Sequence, residues 1–221
     1  MSKLKNFVIF IILISYCFKF DAKALDIPII VIAPNKNPQS YSTVGSSVSI
    51  IDQETISKSN NFFLGETLDK NLPGMNYFRS GGYGTISGIQ LRGLPKRYST
   101  VYIDGVKMSD PSSSDNSFYF SNIMNSSVKN VEVLRGSQSS MYGSGAIGGA
   151  INIYTKDGED KNLNKFIISG GTNNVKNLDV SYGEAYNNHS YYLGLNLFNT
   201  DGISAMNDEV STNDDDSYEN K

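Results

Sequence analysis

The chain has 221 residues, a formal net charge of −3 and 39% hydrophobic residues. Its acid excess argues against a nucleic-acid binder, which carries a basic face. A single cysteine and a single histidine exclude a disulfide framework and a histidine-based zinc site.

The first segment sets the compartment. Lys3 and Lys5 precede an apolar run from Phe7 to Phe18, and Ala22-Lys23-Ala24 forms an A-x-A cleavage pattern. This reads as a secretory signal peptide over residues 1–24, with Leu25 as the mature start. The run is shorter than the roughly 20 residues that span a bilayer as a helix. Cys17 lies inside it, and the bulky Tyr16 before it does not suit a lipoprotein box. Cleavage would remove four lysines and one aspartate, leaving the remainder more acidic and free of cysteine.

Residues 25–34 place five apolar residues, Ile29 to Ala33, between Pro28 and Pro34. The prolines discourage both a helix and a central strand. Asn35 to Ser47 is polar and turn-rich, as a flexible tether would be. An apolar extended stretch on a tether suits strand addition to a partner's sheet edge. It would serve equally as the first strand of the next domain.

A compact unit is expected over residues 48–157. Val48 to Ile51 reads as a strand, and Asp52 can cap the turn after it. Asn60 or Asn61 is expected to cap a helix in which Leu64, Leu68 and Leu72 form one buried stripe. Pro73-Gly74 ends that helix. Met75 to Phe78 leads to a glycine-rich loop and the strand Ile89 to Arg92. Val101 to Ile103 enters the turn Asp104-Gly105, and Val106 to Met108 leaves it. A polar loop, Ser109 to Ser117, precedes strands at Val131 to Leu134 and Ala150 to Thr155.

Beyond a polar linker, Lys165 to Gly171, Val175 to Ala185 and Ser190 to Asn199 approach the strand length of a membrane barrel, about 9–11 residues. In the third, Tyr191, Leu193, Leu195 and Leu197 alternate with Tyr192, Gly194, Asn196 and Phe198. Alternation fits a lipid-facing barrel wall. It fits a soluble antiparallel meander equally.

Gly143-Ser144-Gly145-Ala146-Ile147-Gly148 spells G-x-G-x-x-G. A dinucleotide site needs a helix starting on those glycines, so that its N-terminus meets the pyrophosphate. Ala150 to Thr155 is instead β-branched and alternating, so no nucleotide enzyme is expected. The glycines read as points of sharp turning or close packing.

The run Val131 to Lys156 closely resembles the end of the plug domain in TonB-dependent outer-membrane receptors. Leu68 through Leu72-Pro73-Gly74-Met75, Ile89-Gln90-Leu91-Arg92-Gly93 and Val101-Tyr102-Ile103-Asp104-Gly105-Val106 match in the right order. The resemblance spans about Ile27 to Asp201, and its texture is most similar to the cobalamin-transporter branch. It implies an α+β plug domain followed by the first strands of a transmembrane antiparallel β-barrel, truncated, with residues 158–221 as its start. It aligns Ile27, Pro28, Ile29, Ile30, Val31, Ile32 and Ala33 with the family's TonB box, whose commonest form lacks Pro28. It implies no enzymatic activity.

The implied partners are the TonB C-terminal domain, outer-membrane lipid and a small-molecule chelate such as cobalamin or an iron-siderophore. A monomer that binds no nucleic acid is expected. Substrate contacts are expected from Arg79, Ser80, Gly81, Gly82 and Tyr83, and from Ser109, Asp110, Ser114, Asp115 and Asn116. Plain solvation would explain those loops as well. Arg92 and Arg135 match arginines that face glutamates of the barrel wall in this family. In cobalamin transporters the loop matching Asp208, Asp214 and Asp216 binds calcium. Close-set carboxylates are suitable hard-oxygen ligands, although EF-hand spacing is absent and a solvated loop also fits. About 22 strands of roughly 10 residues need about 220 residues, whereas 57 follow Asn164. The chain is therefore expected to be an N-terminal fragment, with an exported plug-only binding module as the alternative.

Overall fold

The computed structural model describes residues 30–160, 163–187, 189–203 and 217–221. The expected signal peptide, Ile27, Pro28, Ile29, and the acidic residues Asp208, Asp214 and Asp216 lie outside them.

The apolar segment and its tether fold back on themselves. β1 (Ile30–Val31) pairs antiparallel with β2 (Gln39–Ser40). The Tyr41 hydroxyl donates to the Val48 carbonyl at 3.2 Å. The stretch expected as a loose tether is thus tied to the unit after it. There follow β3 (Ser47–Ile51), α1 (Gln53–Lys58), α2 (Leu64–Asn71), β4 (Met75–Arg79), β5 (Ser87–Leu91), β6 (Ser99–Ile103), β7 (Val106–Met108), β8 (Val128–Arg135), α3 (Ser139–Tyr142) and β9 (Gly149–Thr155). Five of these strands form one sheet in the order β3-β8-β9-β6-β7. Only β6 and β9 run parallel within it. β4 and β5 form a separate hairpin.

Alternation along β8 and β9 gives this sheet two apolar faces. Val131, Val133, Ile151 and Ile153 point to one face and pack with Ile56, Leu64, Leu68, Ile89 and Leu91. Leu134 and Ala150 point to the other and pack with Val48, Tyr142, Ala146 and Ala33. Through Ala33, the apolar segment before Pro34 is therefore part of the cover over the second face.

Local chemistry explains where the elements start. Asp52 caps α1, its carboxylate accepting from the Thr55 amide at 2.8 Å. Hydrogen bonding from Thr55, its side chain and then its amide, holds the Asp52 pKa below its ordinary value. The cap expected for α2 is different. Phe63 occupies the N-cap and offers no side-chain acceptor. Its ring is needed in an aromatic cluster, and the Leu64 amide finds the Ile123 carbonyl at 2.8 Å instead. The leucine stripe holds as read: Leu64 and Leu68 are fully buried and Leu72 is nearly so. Arg92 was expected to end a strand. It stands just past β5 with φ of 55°, turning the chain toward Gly93. The Asp104-Gly105 turn forms with φ of 48° and 81°, as a tight hairpin requires.

The last part is a four-stranded antiparallel sheet, β10 (Lys165–Gly171), β11 (Val175–Tyr186), β12 (His189–Thr200) and β13 (Tyr218–Asn220). The direction in which its apolar face points decides between barrel wall and soluble meander. Phe166, Ile168, Leu193 and Leu195 are exposed, at 68%, 72%, 66% and 52%. Asn177, Ser181 and Thr200 are buried on the side facing the first unit. A soluble meander would turn its apolar side inward. Here the apolar face points away from the protein, as on a wall whose outer solvent is lipid.

Candidate functional site

The apolar segment before Pro34 is held by a buried acid. Glu132, in the middle of β8, is 1% exposed and lies on the second sheet face. Its carboxylate accepts from the Ile32 amide at 3.2 Å and 3.0 Å, one distance to each oxygen, and from the Ala33 amide at 2.6 Å. The Tyr142 hydroxyl donates to the Ala33 carbonyl. Val31 and Ala33 are buried, while Ile32 is 37% exposed. Burial pushes the Glu132 pKa up, opposed by the two amide bonds. Burial also raises the Tyr142 pKa. The Lys36 ammonium stands 5.1 Å from the centre of the Tyr142 ring.

The expected substrate residues lie on two loops in which several of the side chains are already engaged with the protein. The Arg79 guanidinium pairs with Glu66 at 3.1 Å and covers the Tyr83 ring at 4.5 Å. The Ser80 amide donates to the Ile86 carbonyl at 2.9 Å, closing the loop. Gly81 and Gly82 are exposed, and the Gly82 carbonyl accepts from Thr85 at 2.8 Å. Tyr83 is half-buried, with its ring centre 5.2 Å from both Phe63 and Phe198. In the second loop Asp110 accepts from the Ser112 amide and hydroxyl. Asp115 accepts from Ser113 at 3.0 Å and pairs with Lys96 at 3.5 Å. Hydrogen bonding, chiefly from Ser117, holds the Asp115 pKa down at about 2. Ser109, Ser114 and Asn116 are exposed.

Arg92 reaches the residue that follows Arg135. An Arg92 Nη1 lies 3.7 Å from where a Cβ on Gly136 would sit, beside Arg135. The Nε and Nη2 of Arg135 are buried with no hydrogen-bond partner among the described residues.

Sequence reasoning missed the contact between plug and wall. Phe198 of β12 is 1% exposed and packs on Phe62 and Phe63, with ring centres 5.1 Å and 5.2 Å away. Tyr218 of β13 donates to Asn122 at 2.8 Å, and Tyr192 of β12 donates to the Ser126 carbonyl at 3.3 Å. The Lys156 ammonium donates to the same carbonyl. Burial lowers the Lys156 pKa, with Lys165 adding to the effect. A cavity of about 390 Å³ separates α1 from β10–β12, and Asn61, Asn125, Lys156, Lys165, Asn177 and Asp179 contribute to its polar lining. A polar gap inside an apolar-faced wall is the expected dress of a barrel lumen.

The later part of the glycine run and Gly149 after it are close-packed. A Cβ on Gly149, whose φ is 154°, would lie 2.2 Å from the Leu134 carbonyl oxygen. The short helix α3 precedes the run, and β9 follows it. The context of a nucleotide site is absent there.

Residues 40–150 match the family model described as the TonB-dependent Receptor Plug Domain. The chain is 30% identical over 207 residues to the vitamin B12 transporter BtuB of Photobacterium profundum, covering 93% of this chain and 33% of that protein. The chain therefore spans about a third of the relative's length. Among solved structures, the siderophore receptor PiuA of Acinetobacter baumannii superposes with a TM-score of 0.59 at 22% identity, over 76% of this chain and 22% of that one. The ferripyoverdine receptor of the outer membrane of Pseudomonas aeruginosa gives 0.62 at 13% identity, over 78% and 23%. At those identities the likeness speaks for the fold. Two-sided plug sheet, outward apolar wall and family match agree: the chain belongs to the TonB-dependent receptors, and comprises a plug domain with the first strands of its barrel.

Proposed function

We propose that the chain is the N-terminal part of an outer-membrane receptor for energy-coupled uptake of a bulky metal chelate, cobalamin or an iron-siderophore. The observation that carries this reading is the inverted dress of β10–β12, polar toward the plug and apolar outward. The alternative, an exported plug-only binding module, would leave Phe166, Ile168, Leu193 and Leu195 facing water, an aggregation hazard.

The outer membrane holds no nucleotide supply and no ion gradient, so work must reach the plug from the inner membrane. An apolar extended segment is suited to pairing with a sheet edge of TonB, and hydrogen bonds loaded together in shear transmit a pull. Residues 27–33 fill that role, with Ile27, Pro28 and Ile29 outside the described residues. The chelate is assigned to the loops Arg79 to Tyr83 and Ser109 to Asn116. Exposed Gly81, Gly82, Ser109, Ser114 and Asn116 are its free contacts. Arg79, Tyr83, Asp110 and Asp115 shape the loops through the bonds described above. Arg92 and Arg135 are assigned to acidic partners on the barrel wall. Calcium is assigned to the loop carrying Asp208, Asp214 and Asp216. The receptor is a monomer with no catalytic step.

Binding of radiolabelled cyanocobalamin to outer membranes carrying the receptor tests the substrate class, with ferric siderophores as competitors. Saturable binding of either class supports the reading. Binding of neither removes it.

A further inference from the structure

The segment Ile30 to Ala33 is held in a shape that a strand-pairing partner cannot use. In an extended strand, successive amides point in opposite directions. Here the amides of Ile32 and Ala33 converge on one carboxylate, that of Glu132. β1 accordingly stops at Val31. Pro34 follows, with no amide to donate. The docked segment and a strand added to a partner's sheet through Ile32 and Ala33 therefore exclude each other.

Glu132 is costly where it sits. Its neighbours along β8 are Val131, Val133 and Leu134, all fully buried. Across the sheet it stands opposite Ile50 on one side and Asn152 on the other. A leucine or valine would complete the apolar face with less desolvation. Among the described residues its carboxylate accepts hydrogen bonds from the Ile32 and Ala33 amides alone. The neighbouring Tyr142 takes the third backbone group, the Ala33 carbonyl. Two side chains thus replace the hydrogen bonds that a partner strand would supply.

We propose that Glu132 and Tyr142 are a latch that holds Ile32 and Ala33 out of strand conformation, so that the strength of this clamp sets how readily the segment is given up to a pairing partner. Glu132 is a positioning residue acting through the backbone it grips. The inference rests on the reading of residues 27–33 as the coupling segment.

Hydrogen exchange of the intact receptor in outer-membrane vesicles tests it, with the wild type compared with Glu132→Gln, Glu132→Ala and Tyr142→Phe. The glutamine keeps the size of the side chain but turns a donor toward one of the two amides. The latch predicts that exchange in residues 31–33 quickens at least tenfold in both Glu132 variants and less in Tyr142→Phe. Residues 131–135 and 149–155 keep their protection. It also predicts that the purified TonB C-terminal domain binds the Glu132 variants several-fold more tightly. A purely structural lesion would not raise that affinity. Unchanged exchange at residues 31–33 in both Glu132 variants overturns the latch. If both variants loosen the sheet itself, Tyr142→Phe decides, and unchanged exchange there overturns the latch. If exchange quickens but the TonB domain binds neither wild type nor variant, the latch stands and the coupling reading falls.

Discussion

Leu195→Arg separates a lipid-facing wall from a water-facing one by magnitude alone. Leu195 lies near the middle of β12, opposite Val180 of β11, and is 52% exposed on the apolar face. In water, an arginine at a half-exposed surface position changes stability by roughly 0.5 kcal/mol or less. At the midplane of a bilayer the same change on the lipid face costs about 2–4 kcal/mol. That is roughly 30- to 700-fold in the folding equilibrium. Asn196→Arg is the control, since Asn196 points to the other face and donates to Asn177 at 3.1 Å. The assay is urea titration of the receptor folded into lipid vesicles, with the folded fraction read by its resistance to dissociation in detergent gels. The orientation described here requires a lowered midpoint for Leu195→Arg and a much smaller change for Asn196→Arg. Equal midpoints for wild type and Leu195→Arg would refute a lipid-facing β12.

Three further outcomes follow from the site. If wall glutamates meet Arg135, then Arg135→Met strands their charge and lowers plug stability by about 3–5 kcal/mol, whereas an unpaired arginine would make the same change stabilising; urea unfolding followed by a label on the plug distinguishes them. The carboxylate of Asp115 is held down at about 2 against an ordinary 3.8, chiefly by Ser117. Its contribution is fully present above 3.8 and is lost as pH falls through about 2, so exchange protection of residues 109–117 should decay over that window and become flat in Asp115→Asn. For calcium, the double variant Asp214→Ala/Asp216→Ala should remove any dependence of chelate binding on the ion, and binding that is indifferent to a chelator in the wild type would dismiss the site.

What the sequence reveals depends on whether a residue's role is local. The strands of the plug sheet, the leucine stripe and the Asp104-Gly105 turn are set by neighbours a few residues away, and they read correctly; Asp52 caps as expected, but what it caps is the helix α1 and not a turn. The α2 cap did not read correctly, because the Leu64 amide is satisfied by Ile123, some sixty residues on, while Phe63 serves a cluster closed by Phe198. Whether β12 faces lipid or a core could not be read from alternation, which is the same in both. It took the placement of Phe198 and Tyr192 against the plug to fix the inner side. The latch left one trace: a lone acid in the run Val131-Glu132-Val133-Leu134, in a strand buried on both faces. Its partners lie about a hundred residues earlier, so the acid was visible and its purpose was not.

The central claim is that a periplasmic partner grips the stretch around Ile30 and draws on the plug through it. Site-specific crosslinking of Ile30→Cys in the complete receptor, paired with uptake by a receptor lacking residues 27–33, measures this directly. The account predicts a crosslink to TonB and an uptake rate reduced to background, with chelate binding at the cell surface retained. No crosslink, together with undiminished uptake by the deleted form, would contradict it.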